Sequence, residues 1–160
     1  MAPTTAVPVV VPPPSRTAAV TAQCTPQNTS VTLAMSNGAA GTLYQTLVIK
    51  NFSGAPCVTG GYPGISLDTA AGAQAGASAT RQAPAGAEVL LAPGQAATDI
   101  FSYSDAGVST SPNCHPEQAT SLRVYLPGSV QSIVLPFSRM GCSGTYSYLD
   151  VWAVNVAPGS

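Results

Sequence analysis

From Cys24 to Val156 the chain is a succession of short runs, each closed by turn-forming residues. That punctuation limits the fold more than any other feature of the sequence. SVTLAMS (30–36) alternates and is followed by Asn37-Gly38, a dipeptide suited to a tight hairpin turn. TLYQTLVIKN (42–51) is the clearest strand, with Leu43, Leu47 and Ile49 on one face. GISLD (64–68) comes next, then two strands within EVLLAPGQAATDIFSYSD, joined through Ala92-Pro93-Gly94. SLRVYLPG (121–128), SIVLPF (132–137) and YLDVWAVNV (148–156) complete the series. The stretch TAAGAQAGASAT (69–80) is rich in alanine, but each interior glycine costs a helix about 1 kcal/mol, so a loop or edge hairpin is expected. No segment of useful length carries the 3.6-residue period. The expected fold is all-β: a single antiparallel, immunoglobulin-like β-sandwich of about 7–9 short strands.

Composition narrows the partners. The 160 residues suit one domain with a real core. Charged residues are 7% of the chain, where about 25% is ordinary, so solubility must rest on Ser, Thr, Gln and Asn. Five basic residues and a net charge of −1 leave no electrostatic footprint for nucleic acid or anionic lipid. No run approaches the ~20 apolar residues of a transmembrane helix. Residues 1–22 form a Pro/Thr/Ala-rich segment that reads as an extended, flexible tether, residues 23–157 as the folded domain and 158–160 as a short tail. The N-terminal apolar patch is broken by prolines and has no basic region before it, so a signal peptide or lipid anchor is expected to lie outside this chain.

The four cysteines, Cys24, Cys57, Cys114 and Cys142, are widely spaced, and none forms a CxxC pair. With His115 as the sole histidine, no zinc site of Cys and His spacing is encoded, and no metal or cofactor is expected. An even cysteine count in so Ser/Thr-rich a chain fits two disulfides and an oxidising compartment. Three pairings are possible; the sequential one, Cys24–Cys57 with Cys114–Cys142, is favoured.

Four stretches invite chemical readings. Gly60-Gly61-Tyr62-Pro63-Gly64 has the glycines of a ligand cradle but neither the lysine nor the following helix of a phosphate loop, so a structural turn is expected, as at Pro93-Gly94. Tyr62-Pro63 is a candidate for a cis bond, a geometry found in about 5–6% of X-Pro bonds. Gly141-Cys142-Ser143-Gly144 resembles a nucleophile motif, yet it lacks the GxSxG spacing, and a disulfide would remove the Cys142 thiolate. Asp105, Asn113, His115 and Glu117 fall in a long segment without strand pattern, the expected place for a binding surface. Asp99 shares the alternate positions of Ala97, Phe101 and Tyr103; if that face is the core, its carboxylate points inward and needs hydrogen bonds.

In order along the chain stand Cys24, LVIKN, CVTGGYPG, ISLD, Thr80-Arg81, VLLAPGQAA, LRVYLPG and Cys142. This succession resembles the actinobacterial domain-of-unknown-function 4232 family of secreted proteins and lipoproteins, over residues 24–156. The resemblance implies an exported β-sandwich, often behind a Thr/Pro/Ala-rich tether, and it carries over no catalytic residue. Asp99 stands where the family pattern leads one to expect a small or apolar side chain. The functional expectation is a non-catalytic, secreted or envelope-associated monomer that binds an extracellular or envelope partner. The alternatives are a small-ligand or lipid carrier and, from another class, an envelope hydrolase or transpeptidase using Ser143 or His115.

Overall fold

The computed structural model describes residues 3–9, 20–105 and 109–159. Most of the proposed tether, including Arg16 and Thr17, lies outside the described residues. Among those described there is no helix, and eleven strands form: β1 (Ala22–Gln23), β2 (Thr29–Ala39), β3 (Thr42–Asn51), β4 (Cys57–Gly60), β5 (Gly64–Asp68), β6 (Thr80–Arg81), β7 (Glu88–Leu91), β8 (Ala96–Ser104), β9 (His115–Tyr125), β10 (Ser132–Ser143) and β11 (Leu149–Val151). One sheet has the order β2-β3-β8-β11-β6, a second β10-β9-β5, and a third β1-β4-β7. Most pairings are antiparallel, but the short β1–β4 and β11–β6 ladders are parallel, so the expectation of a purely antiparallel arrangement is corrected.

Alternation builds the core. In β3 the inward set is Gln45, Leu47, Ile49 and Asn51, and in β8 it is Ala97, Asp99, Phe101 and Tyr103, all buried. Of these, Leu47, Ile49, Ala97, Phe101 and Tyr103 meet Ile65, Leu67, Leu122 and Val124 of the second sheet in one buried cluster. Phe137 of β10 packs edge-on against Phe101 and Tyr103, at centroid distances of 5.7 and 6.4 Å. Asn51 ties the third sheet to this frame, its amide donating to the Leu91 carbonyl at 3.0 Å.

Several boundaries differ from the sequence reading. Asn37-Gly38 is not the hairpin turn: both residues pair within β2, opposite Tyr44 and Leu43. A bulge between Leu33 and Ser36 adds a residue to β2, and the ladder runs on to Ala39 opposite Thr42. The two-residue turn is Ala40-Gly41, at φ of 50° and 82°. The long patternless segment is shorter than expected, because His115 and Glu117 already belong to β9, opposite Ser143 and Gly141 of an extended β10. Cross-strand pairing sustained these polar residues where alternation gave no sign of a strand. At the C-terminus β11 ends at Val151; residues 152–155 still bond alongside β8, through Trp152 to Ile100 and Asn155 to Thr98, without forming a continuous ladder. The cis peptide among the described residues is Ala83–Pro84, not Tyr62–Pro63.

Both disulfides form in the favoured pairing. Cys24–Cys57 joins the end of β1 to β4, and Cys114–Cys142 joins the residue before β9 to β10. Both sulfur pairs are buried. The loop between Asp68 and Thr80 lies against the second sheet: Ala75 and Ala79 donate to the Leu67 and Ile65 carbonyls, and the Tyr148 hydroxyl donates to the Ala75 carbonyl. Gly76 is required in this contact. Its φ is +78°, and a Cβ there would lie 1.6 Å from the Cys142 carbonyl oxygen.

Replacing both Cys24 and Cys57 by Ser opens a loop with a sequence separation of 33 residues and should cost about 3–4 kcal/mol in urea unfolding, by the chain-entropy relation. Gly76→Ala should cost about 2–4 kcal/mol, since it combines backbone strain with a clash against backbone, and a lowered melting temperature would report it. A wild-type melting temperature in that variant would mean that the Ala75–Gly76 contact is not formed.

Candidate functional site

The described residues bring side chains of different strands together at the end of the sheets where β2 turns into β3. β8 carries the chain out of the core there: Tyr103 is buried, Ser104 half-buried and Asp105 exposed. The Asp105 amide donates to the Gly41 carbonyl at 3.0 Å, which holds the exit of β8 against the hairpin turn. On one side of this contact a hollow of about 520 Å³ is bounded by Thr42, Leu43, Tyr103, Arg139 and Met140. On the other a hollow of about 480 Å³ is bounded by Ser104, Ser109, Thr110, Ser111 and Tyr146. Ala40, Gly41, Thr42 and Asp105 line both, so the two hollows adjoin and are treated as one cleft.

The walls are held in place by specific bonds. The Tyr103 hydroxyl donates to the Met140 carbonyl at 2.5 Å, locking the ring between the sheets. Arg139 lies 5.0 Å above the Phe137 ring and donates through Nη1 to its neighbour's carbonyl at 2.9 Å. The Tyr146 amide donates to the Asn113 carbonyl, and Asn113 stands beside the Cys114–Cys142 bridge. The hydroxyls of Thr42, Thr110 and Tyr146 have no protein partner among the described residues. The cleft therefore presents free hydroxyls, an aromatic edge, one carboxylate and one guanidinium, which suits recognition by hydrogen bonding.

The residues singled out from sequence separate into groups. Asp105 lines the cleft and Asn113 braces it from behind. His115 and Glu117 stand on β9, His115 exposed at its first position and outside both hollows. Ser143 donates to the backbone carbonyl of His115 at 3.2 Å, and that contact does not involve the imidazole ring. Cys142 is in a disulfide and has no thiol. Among the described residues no cluster of three His, Cys, Asp or Glu side chains is placed to hold a metal. No described helix is long and apolar enough to cross a membrane.

The glycine-rich stretch forms a corner away from the cleft. Gly60 and Gly61 have φ of 135° and 84°, and a Cβ on Gly60 would lie 2.6 Å from the Ala87 carbonyl oxygen. Tyr62 donates to the Gln82 carbonyl at 2.8 Å and carries Arg81 over its ring, Pro63 is buried, and Gly64 opens β5 against Tyr125. Pro93-Gly94 turns β7 into β8, with Gly94 at φ 80°.

Thr42, Tyr103, Arg139 and Tyr146 were not legible as cleft residues. Each belongs to a different stretch of chain, and only the register of β3 with β8 and of β9 with β10 places them within reach of one another. A second feature was half legible: Asp99 does point inward, 1% exposed, but among the described residues neither carboxylate oxygen has a hydrogen-bond partner, contrary to the expectation that it would be bonded. Burial alone pushes its carboxyl up to about 8.

The family model described as "Domain of unknown function (DUF4232)" matches residues 24–156, and the chain belongs to that family. No curated protein matches it.

Proposed function

We propose that this member of the domain-of-unknown-function 4232 family is an exported, non-catalytic binding module of the cell surface or its surroundings, and that its contact surface is the cleft between the β2–β3 turn and the exit of β8. The observation that carries this reading is the junction of two hollows at Thr42 and Asp105, lined by hydroxyls of Thr42, Thr110 and Tyr146 that no described residue engages. A site that works by hydrogen bonding needs such groups held by rigid neighbours, and Tyr103, the Asp105–Gly41 bond and the Cys114–Cys142 bridge hold them. Two disulfides are consistent with an extracellular location, where thiols are oxidised. The paucity of charge favours a partner recognised by shape and hydrogen bonds over one drawn in by long-range fields.

The test is photo-crosslinking with mass spectrometry in intact cells of the source organism, with the crosslinker placed at Thr110. Thr42→Arg, which fills the cleft from a half-buried position, should reduce the crosslinked partner at least roughly tenfold while leaving the melting temperature unchanged, an effect of about 1.4 kcal/mol or more on binding. Ser143→Ala should leave the yield as it is. Undiminished crosslinking by Thr42→Arg would place the contact surface elsewhere. Labelling by a serine-directed activity probe that disappears in Ser143→Ala would replace the binding reading with an enzymatic one.

A further inference from the structure

β8 joins two unusual features: a buried carboxylate at its middle and the cleft wall at its end. Asp99 faces the core from a strand hydrogen-bonded on both sides, to β3 and to β11 with the segment that follows it. Leu47 stands directly opposite it in β3, and Ala97 and Phe101 flank it along the same face. On the other side run Ala153 and Val154, both fully buried. Among the described residues both of its oxygens are without a hydrogen-bond partner. An ionised carboxylate in such a place has no counter-charge and no donor, whereas the protonated acid costs far less to bury.

No charged group on the surrounding elements relieves this. Tyr103 and Tyr148 share the core, but their hydroxyls already donate to the Met140 and Ala75 carbonyls. Tyr44 and Lys50 of β3 and Glu88 of β7 are exposed. Asp150 of β11 accepts from Gln82, while Asp68 of β5 is paired with Arg123 of β9, and Arg139 of β10 is exposed over Phe137. His115 and Glu117 of β9 lie at the far end of that strand, which meets β10 at Ser143 and Gly141. None of these contributes to the displacement of the Asp99 carboxyl, whose cause is desolvation alone.

We infer that Asp99 is a proton-operated latch: the sheets stay closed on β8 while Asp99 holds its proton, and losing it loosens β8 together with the cleft wall formed by Tyr103, Ser104 and Asp105. The latch stands on the burial and isolation of the carboxylate, and only its consequence for ligand binding rests on the function proposed above. Asp99 and Tyr103 share one face of a single strand, so a displacement of the first is transmitted along rigid backbone to the second. The sign follows from linkage. In the unfolded chain Asp99 ionises near the ordinary carboxylate value of about 3.9, and in the folded chain only near 8. Between these values the folded state holds the extra proton, so its population relative to the unfolded state falls by up to roughly tenfold per pH unit, and the decline levels off above the folded value.

Carboxyl-carbon and backbone NMR of the full chain from pH 4 to 10, with urea unfolding over the same range, tests this. The Asp99 Cγ signal should titrate near 8, far above the ordinary carboxylate value of about 3.9. Resonances of Leu47, Phe101, Tyr103 and Asp105 should shift with the same midpoint. The wild-type urea midpoint should fall from pH 4 toward 8 and then flatten, and Asp99→Asn should show no such decline. An Asp99 Cγ titrating near the ordinary carboxylate value of about 3.9 overturns the latch, and so does a slope retained in Asp99→Asn. Cleft resonances that stay still while Asp99 titrates overturn the coupling. If Asp99→Asn does not fold, the wild-type spectra still decide both points. No ligand enters these measurements, so their failure would leave the binding proposal standing.

Discussion

The register of β3 against β8 is the constraint on which the other elements depend. Nine residue pairs run from Thr42–Ser104 to Lys50–Ala96. A slip of one residue would turn one strand's inward set, Leu47 and Ile49 of β3 or Ala97 and Phe101 of β8, from the core to solvent, because side chains alternate with a period of two. Each large apolar side chain so exposed would forfeit about 1.5–3 kcal/mol, which fixes the pairing firmly. β2 extends this pair on one side and β11 on the other, so the five-stranded sheet inherits its frame from it. The second sheet then closes over that face, with Phe137 seated against Phe101 and Tyr103.

Little of the closure is ionic. The one salt bridge among the described residues joins Arg123 to Asp68 at 2.6 Å, with Ser132 accepting from the same guanidinium. Hydroxyls and amides do most of the polar work: Tyr103 and Tyr148 anchor to backbone carbonyls, and Asn51 links three segments. The two disulfides tie the edges that short strands leave weak. Among the described residues the buried side-chain atoms outside this pattern are the Thr59 hydroxyl and the two Asp99 carboxylate oxygens. The neighbours of Asp99 are bound by backbone ladders on both sides, so the strand cannot turn it outward without breaking the register that buries Phe101.

The cleft follows from the same geometry. Strands that end at a common level leave their turns and exits side by side, and here those are Ala40-Gly41, Asp105 and the 109–111 segment. Part of each wall continues a core strand, through Thr42 of β3 and Tyr103 and Ser104 of β8, and the rest comes from the turn and loop residues beside them. β8 thus connects a buried carboxylate, Asp99, to a hollow at the surface through Tyr103 and Ser104.

From sequence alone the all-β class, the run of β3, the presence of two disulfides and the role of the glycine corner at 60–64 were legible, because each follows from local rules: alternation, turn chemistry, cysteine number and backbone freedom; the pairing of the cysteines was one favoured choice of three until the fold brought the partners together. The extents of β2, β9 and β10 were not, since bulges and cross-strand pairing carried polar segments such as Asn37-Gly38 and His115–Glu117 into ladders. That Asp99 points inward could be inferred from alternation, but that nothing bonds to it is a property of its neighbours in space. The cleft was the least legible of all. Thr42, Tyr103, Arg139 and Tyr146 are separated by up to about a hundred residues of chain, and only long-range strand pairing decides that they meet.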